Sequence, residues 1–322
     1  LFFKKFYIKW IHFISKNKTN HDIFRRFESN QHVLNIRFLG TKEEQRYYDY
    51  GFTPLMLHMC NHEKFGWSLS NIKKKRQYMW DTYKPSVVLK NNTPLKVIPR
   101  ILHKIWLTSC DKPTPLPDVF MKNIDRDHHH LDGNWTYILW GEEESFSDIP
   151  QFCIRKSPTI FKNHPMYSLY EKFLKEDQFG GASDILRLII LEKYGGVYMD
   201  VDAYITRRID FFVDYYDFVI SSDSDRASAI CNSVMLMSPK NPIIQSFFEC
   251  INDEWYDSIL KDPLKSFSNH IYNVVFKTGP FRLTLVIDHA MDSHKPQIIL
   301  PRNFLMKGLF FAHERVGSWV KK

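Results

Sequence analysis

The stretch from Ala182 to Asp202, ASDILRLIILEKYGGVYMDVD, constrains the fold more than any other part of the chain. Ser183 is a good N-cap, since its hydroxyl can accept from a free amide of a first helical turn. The apolar run from Ile185 to Tyr194 then predicts a mostly buried helix. Gly195-Gly196 ends it, because glycine takes the left-handed conformation that helix C-termini favour. Val197-Tyr198-Met199 predicts a short buried strand. Asp200 and Asp202 stand where that strand runs out, and residues two apart on an extended chain point the same way. Two carboxylates so placed can hold a divalent cation and, through it, a phosphate. Asp184 and Arg187 are three apart and share a helix face, here expected in the first turn. Four charged groups from two chain turns are thus expected around one cavity.

The rest of the chain supplies a sheet for this unit. Val97–Leu107 predicts a first buried strand, and WTYILW at 135–140 a second, with a helix from Val119 between them. A helix is expected over Ser168–Lys175, strands at Phe218–Ser221, Cys231–Met237 and Ile298–Leu300, and helices at Pro242–Leu260, Asn269–Val275 and Arg282–Ile287. Strands alternating with helices imply an α/β sheet with crossovers. Asn91-Asn92-Thr93-Pro94 reads as a linker. It divides a basic, mainly helical extension, 1–95, from a catalytic domain, 96–322.

Charge supports that division. Residues 1–96 hold 18 Lys and Arg against 7 Asp and Glu, a balance of +11, whereas 97–322 hold 26 against 29. A basic front end can meet an anionic membrane surface or an acidic protein, or be a solvated helical face. No stretch of about 18 apolar residues, the length of a membrane span, occurs. The chain starts with Leu, as a piece of a longer protein would. The five cysteines are scattered, with no C-x-x-C. They fit free thiols in a reducing cytoplasmic or membrane-peripheral setting better than a disulfide framework or zinc site.

Asp-x-Asp occurs three times, at Asp125/Asp127, Asp200/Asp202 and Asp223/Asp225. The first pair falls in a polar segment with His128-His129-His130, expected as a solvated loop. The last follows a strand but also reads as ordinary turn chemistry. Only Asp200/Asp202 has a buried helix, a Gly-Gly break and a strand in front of it. A triad of Ser183, His103 and Asp184 has no nucleophile elbow to support it.

ASDILRLIILEKYGGVYMDVD closely resembles the D-x-D sugar-binding region of family 32 glycosyltransferases and of the large clostridial glucosylating toxins. IPRILHKIW (98–106) and AHERVGSW (312–319) extend the resemblance over most of 97–319. It implies a GT-A type nucleotide-sugar-binding fold, a Rossmann-like mixed α/β sheet flanked by helices. It also implies a nucleotide-sugar donor, Mn²⁺ or Mg²⁺, and transfer with retention at the anomeric carbon. Carried over, Trp106 would stack on the nucleotide base. Asp184 and Arg187, with Ser183 beside them, would hold donor-sugar hydroxyls. Asp200 would contact the ribose and the metal's water shell, and Asp202 and His313 would ligate the metal. Asn232 would sit near the sugar and phosphates, and Ser318 and Trp319 would close over the diphosphate. The expected activity is a hexosyltransferase using a UDP-hexose, glucose before GDP-mannose, on a glycan, lipid-linked or protein hydroxyl. A secreted effector acting in a host cytosol and a catalytically inactive binding module are the alternatives. A nucleic-acid partner is not expected, since no motif for one is present.

Overall fold

A computed structural model describes residues 69–109, 111–146, 149–222, 230–254, 274, 277–301, 304 and 308–314. Most of the basic extension, Asp223/Asp225, Ser318 and Trp319 lie outside these residues, as do most of Asn269–Val275 and the end of the helix expected to reach Leu260.

The described residues begin with two helices, α1 (Leu69–Tyr83) and α2 (Pro85–Asn91). β1 (Ile101–Ile105), α3 (Asp118–His130), β2 (Thr136–Trp140) and β3 (Cys153–Lys156) follow. Then come α4 (Tyr167–Lys175), α5 (Phe179–Tyr194), β4 (Gly196–Met199), β5 (Ala203–Ile205) and α6 (Asp210–Tyr215). β6 (Phe218–Ser222), β7 (Ile230–Met237), α7 (Pro242–Asn252), α8 (Pro280–Ala290), β8 (Gln297–Leu300) and β9 (Phe311–His313) complete it. Seven strands form one sheet in the order β3-β2-β1-β4-β7-β6-β8, and β5 pairs with β9 in a separate ribbon. Within the seven-stranded sheet β7 runs antiparallel to both its neighbours and the other pairings are parallel, while β5 and β9 are antiparallel. This is the mixed sheet flanked by helices that the sequence implies.

Topology places the site. From β1 the chain builds outward through β2 and β3, then returns through α4 and α5 to add β4 on the other side of β1. The strand order therefore reverses between β1 and β4, and in open α/β sheets ligands bind outside the carboxyl ends of strands at such a switch. Trp106 directly follows β1 and Asp200 directly follows β4.

Helix α5 begins earlier than the sequence implied. It starts at Phe179, so Ser183 lies inside the helix and is not its N-cap, and Asp184 and Arg187 lie beyond the first turn. The two glycines Gly180-Gly181 do not stop it, because Gly181 lies close against the Phe173 ring of α4. From Gly181 to Leu191 every residue of α5 except Ser183 is buried, as its nearly uniform apolar sequence requires. The helix does end at Gly195, whose φ of 61° and ψ of −156° suit glycine almost alone. Gly196, at φ 96°, passes so close to β1 that a Cβ there would lie 2.5 Å from the Ile101 carbonyl oxygen.

The expected loop at 125–130 is the end of helix α3. His128 stacks on Phe152 with ring centroids 3.8 Å apart, while His128 and His129 are exposed at the end of the helix. Within the basic run at 73–76, Arg76 is buried against Asp288 of α8 through two contacts of 2.6 Å. Lys75 donates to the Asp288 and Met291 carbonyls. Tyr216 further anchors α1 by donating to the Tyr83 carbonyl. Helix α1 is thus fastened to the edge of the sheet beside β8. Among the described residues, no helix is long and apolar enough to cross a membrane.

Candidate functional site

The end of β4, the middle of α5, the start of β7 and the β5–β9 ribbon converge on one cluster of polar side chains. Arg187 is its centre. Its guanidinium lies 3.0 Å from Asp184 and 3.3 Å from Asp200, donates to the Asn232 carbonyl at 2.7 Å, and covers the Tyr198 ring at 4.5 Å. Burial works against its charge, but Tyr198, Asp200 and Asp184 raise its pKa, so it stays protonated.

Asp184 is buried and held at both oxygens. Oδ1 accepts from the Asn232 amide at 2.8 Å, and Oδ2 accepts from the Thr278 hydroxyl at 3.2 Å. Burial pushes its carboxyl up to about 6, against the opposing pull of Arg187. Asp200 behaves differently, although it too is largely enclosed. Burial alone would raise it, but Arg187, His313 and Tyr198 outweigh burial and hold it below the usual carboxylate range. The Tyr198 hydroxyl donates to Asp200 Oδ1 at 2.6 Å, and burial followed by the nearby Asp200 charge keeps that phenol protonated.

Asp200, Asp202 and His313 each offer one ligand atom, and the three atoms lie within 4.8 Å of one another. His313 Nε2 is 3.3 Å from Asp202 Oδ1 and 3.7 Å from Asp200 Oδ2. β pairing brings them together, since Ala203, next to Asp202, is the register partner of His313. The Glu314 amide also donates to the Asp202 carbonyl at 2.8 Å. Two carboxylates and an imidazole, none of them fully buried, fit a divalent cation with open coordination positions.

The structure therefore brings together Asp184, Arg187, Asp200, Asp202, Asn232 and His313. Ser183 is at the margin, its hydroxyl 3.5 Å from that of Tyr198 and its carbonyl accepting from Arg187. Trp106 is partly buried, packs on Phe120 at 5.6 Å and donates to the Thr114 carbonyl. His103, far from being a nucleophile's partner, is fully buried. It accepts from Trp140 at Nδ1 and contacts the Gly195 carbonyl through Nε2.

Two site residues escaped the sequence reading. Tyr198 stands two before Asp200, and strand alternation puts both on one face. Thr278 had no comparable signal, because it reaches Asp184 only through the packing ahead of α8. A Cβ on the adjacent Gly279 would lie 3.2 Å from Asp184 Oδ2, so this segment closes tightly over the carboxylate.

Residues 117–219 match the profile of the glycosyltransferase sugar-binding region containing DXD motif. The chain is 26% identical over 230 residues to inositol phosphoceramide mannosyltransferase 1 of Schizosaccharomyces pombe, covering 70% of this chain and 63% of that protein. It is 34% identical over 102 residues to toxin B of Clostridioides difficile, covering 31% of this chain and 4% of the toxin. The solved PaToxG glycosyltransferase superposes with a TM-score of 0.46 at 16% identity, over 67% of this chain and 79% of that one. The chain spans less than two thirds of the mannosyltransferase's length and a small fraction of the toxin's. Residues 117–219 thus match a glycosyltransferase sugar-binding region containing the DXD motif, and the chain is similar along 70% of its length to a protein named as a mannosyltransferase.

Proposed function

We propose that the protein is a metal-dependent retaining glycosyltransferase that moves a hexose from a nucleoside-diphosphate sugar to a hydroxyl acceptor. The observation that carries this reading is the meeting of Asp200, Asp202 and His313 beside the buried Asp184–Arg187 pair. A divalent ion held there, Mn²⁺ or Mg²⁺, would offset the negative charge that grows on the departing diphosphate. Asp184 and Arg187 present an acceptor and donors on one side of that site, the pairing that sugar hydroxyls need. Arg187 also fixes Asp200, which keeps the metal-facing carboxylate ionised. No described side chain stands out as a general base, which fits a reaction in which the leaving diphosphate takes the acceptor proton.

Mannose moves ahead of glucose as the donor sugar, and a lipid-linked hydroxyl ahead of a protein one. The support is the long alignment with a protein named for transferring mannose to inositol phosphoceramide. A toxin-like effector using UDP-glucose on a protein is the second reading, supported by the shorter but more identical match to toxin B. Hydrolysis of GDP-mannose and UDP-glucose, with and without Mn²⁺, tests both. Metal-dependent release of the nucleotide by the wild type and not by Asp202→Asn supports transferase chemistry. Release by neither protein leaves a nucleotide-sugar fold without turnover, and equal release by both overturns the role of Asp202 as a metal ligand.

A further inference from the structure

The turn that carries Asp200 and Asp202 is gripped from beneath by three buried side chains that the sequence reading left aside. Lys104 of β1 is fully buried, and its ammonium donates to the Asp200 carbonyl at 3.3 Å and to the Ala203 carbonyl at 2.5 Å. The same ammonium lies 3.0 Å from Asp127 Oδ2. Asp127 of α3, also fully buried, accepts from the Ile205 amide at 2.7 Å through its other oxygen. One helical turn earlier, Asn123 donates to the Val201 carbonyl at 3.3 Å. Main-chain groups of Asp200, Val201, Ala203 and Ile205 are therefore held by side chains from two other elements.

We propose that Lys104, Asp127 and Asn123 are positioning residues that hold the metal-binding turn in register with His313. This rests on the proposed function. The grip covers both routes by which the ligand set is assembled. Lys104 and Asn123 fix the chain between the two aspartates. Lys104 and Asp127 fix the two ends of β5, the strand that carries β9 and His313 by pairing Ala203 with His313. A buried ion pair is on its own weak evidence for stability, since apolar residues often replace one at little cost. Here the contacts go to the main chain of the turn, and that aims the pair at ligand geometry. Groups that orient metal ligands in this way typically change metal affinity by about 10–100-fold when removed.

The test is Mn²⁺ affinity, measured by calorimetric titration, beside the unfolding temperature and the KM for donor. Lys104→Met/Asp127→Asn removes both charges together, and an amide at 127 can still accept from Ile205. This variant is expected to stay folded and to bind Mn²⁺ about 10–100-fold more weakly. Asn123→Ala removes one contact and is expected to weaken Mn²⁺ by about tenfold, the low end of that range. It carries the test if the double variant does not fold. Folded variants that bind Mn²⁺ as the wild type does, with only a lower unfolding temperature, would overturn the proposal. A wild type that binds no Mn²⁺ would instead overturn the proposed function on which it rests.

Discussion

His313 Nε2 lies 3.3 Å from Asp202 Oδ1, although the whole run from β6 to β8 separates the two residues in sequence. The contact exists because β9 returns to pair with β5, the strand that starts one residue after Asp202. A cluster divided between distant segments in this way forms only when β9 pairs with β5.

Replacing a ligand should therefore cost activity without unfolding the protein. Asp202 is only partly buried, and Asp202→Asn keeps its shape. Metal-dependent nucleotide release should fall by about a hundredfold or more, the scale seen when one group stabilising transition-state charge is removed. Circular dichroism should be unchanged. His313→Ala should lower Mn²⁺ affinity in the same assay while UV-monitored unfolding moves little.

Arg187 should behave in the opposite manner, because it joins site to core. Removing it as Arg187→Met strands Asp184 beside Asp200 in a buried place. Breaking a buried pair by deleting one partner costs about 3–5 kcal/mol, so chemical denaturation should show a large loss of stability together with lost turnover. Arg187→Lys should recover little of either. One ammonium cannot reach Asp184, Asp200 and the Asn232 carbonyl together as the planar guanidinium does.

His103 makes the protein acid-labile. Burial, with Lys156 adding to it, lowers its pKa to about 3 despite the Gly195 carbonyl. The unfolded chain takes up this proton near pH 6.5, while the folded protein refuses it until about pH 3. The stability contribution is thus complete above pH 6.5 and is lost as the pH falls through that window, by up to about 1.4 kcal/mol per pH unit. Urea unfolding at pH 7 and pH 5 should show the loss. His103→Gln should flatten the slope while lowering stability at pH 7.

The Gly-Gly break should be nearly intolerant of side chains. Gly195→Ala places a Cβ 2.6 Å from the Pro239 nitrogen in a backbone conformation that favours glycine. A loss of at least about 1–3 kcal/mol is expected from the strained backbone alone, read as a lowered thermal midpoint. If Gly195→Ala melts with the wild type, the close packing of the helix end on the β7 exit is not required.

Much of this site was legible before the tertiary structure. The apolar run 185–191, the glycine stop, the strand and the two aspartates form locally, so periodicity and glycine chemistry revealed them. The helix start was misjudged because a local rule, Ser183 as cap, lost to a tertiary contact in which Phe173 packs on Gly181 and lets α5 extend back to Phe179. The segment 125–130 was misjudged for a related reason. Its charge and histidines suggest a loop, yet Asp127 is drawn into the core by Lys104, Tyr137 and the Ile205 amide.

By itself, the sequence determined the α/β pattern, the helix–glycine–strand unit and the grouping of Asp184, Arg187, Asp200 and Asp202 at its two ends. Those follow from spacing, which is set by the chain's own geometry. Only the tertiary structure decided that Thr278 and Asn232 hold Asp184, that Tyr198 and Arg187 share Asp200, and that Lys104, Asn123 and Asp127 grip the turn. These pairings join residues far apart along the chain, and no local periodicity encodes them. Burial selects them, because each enclosed charge and main-chain group must find a partner once water is gone.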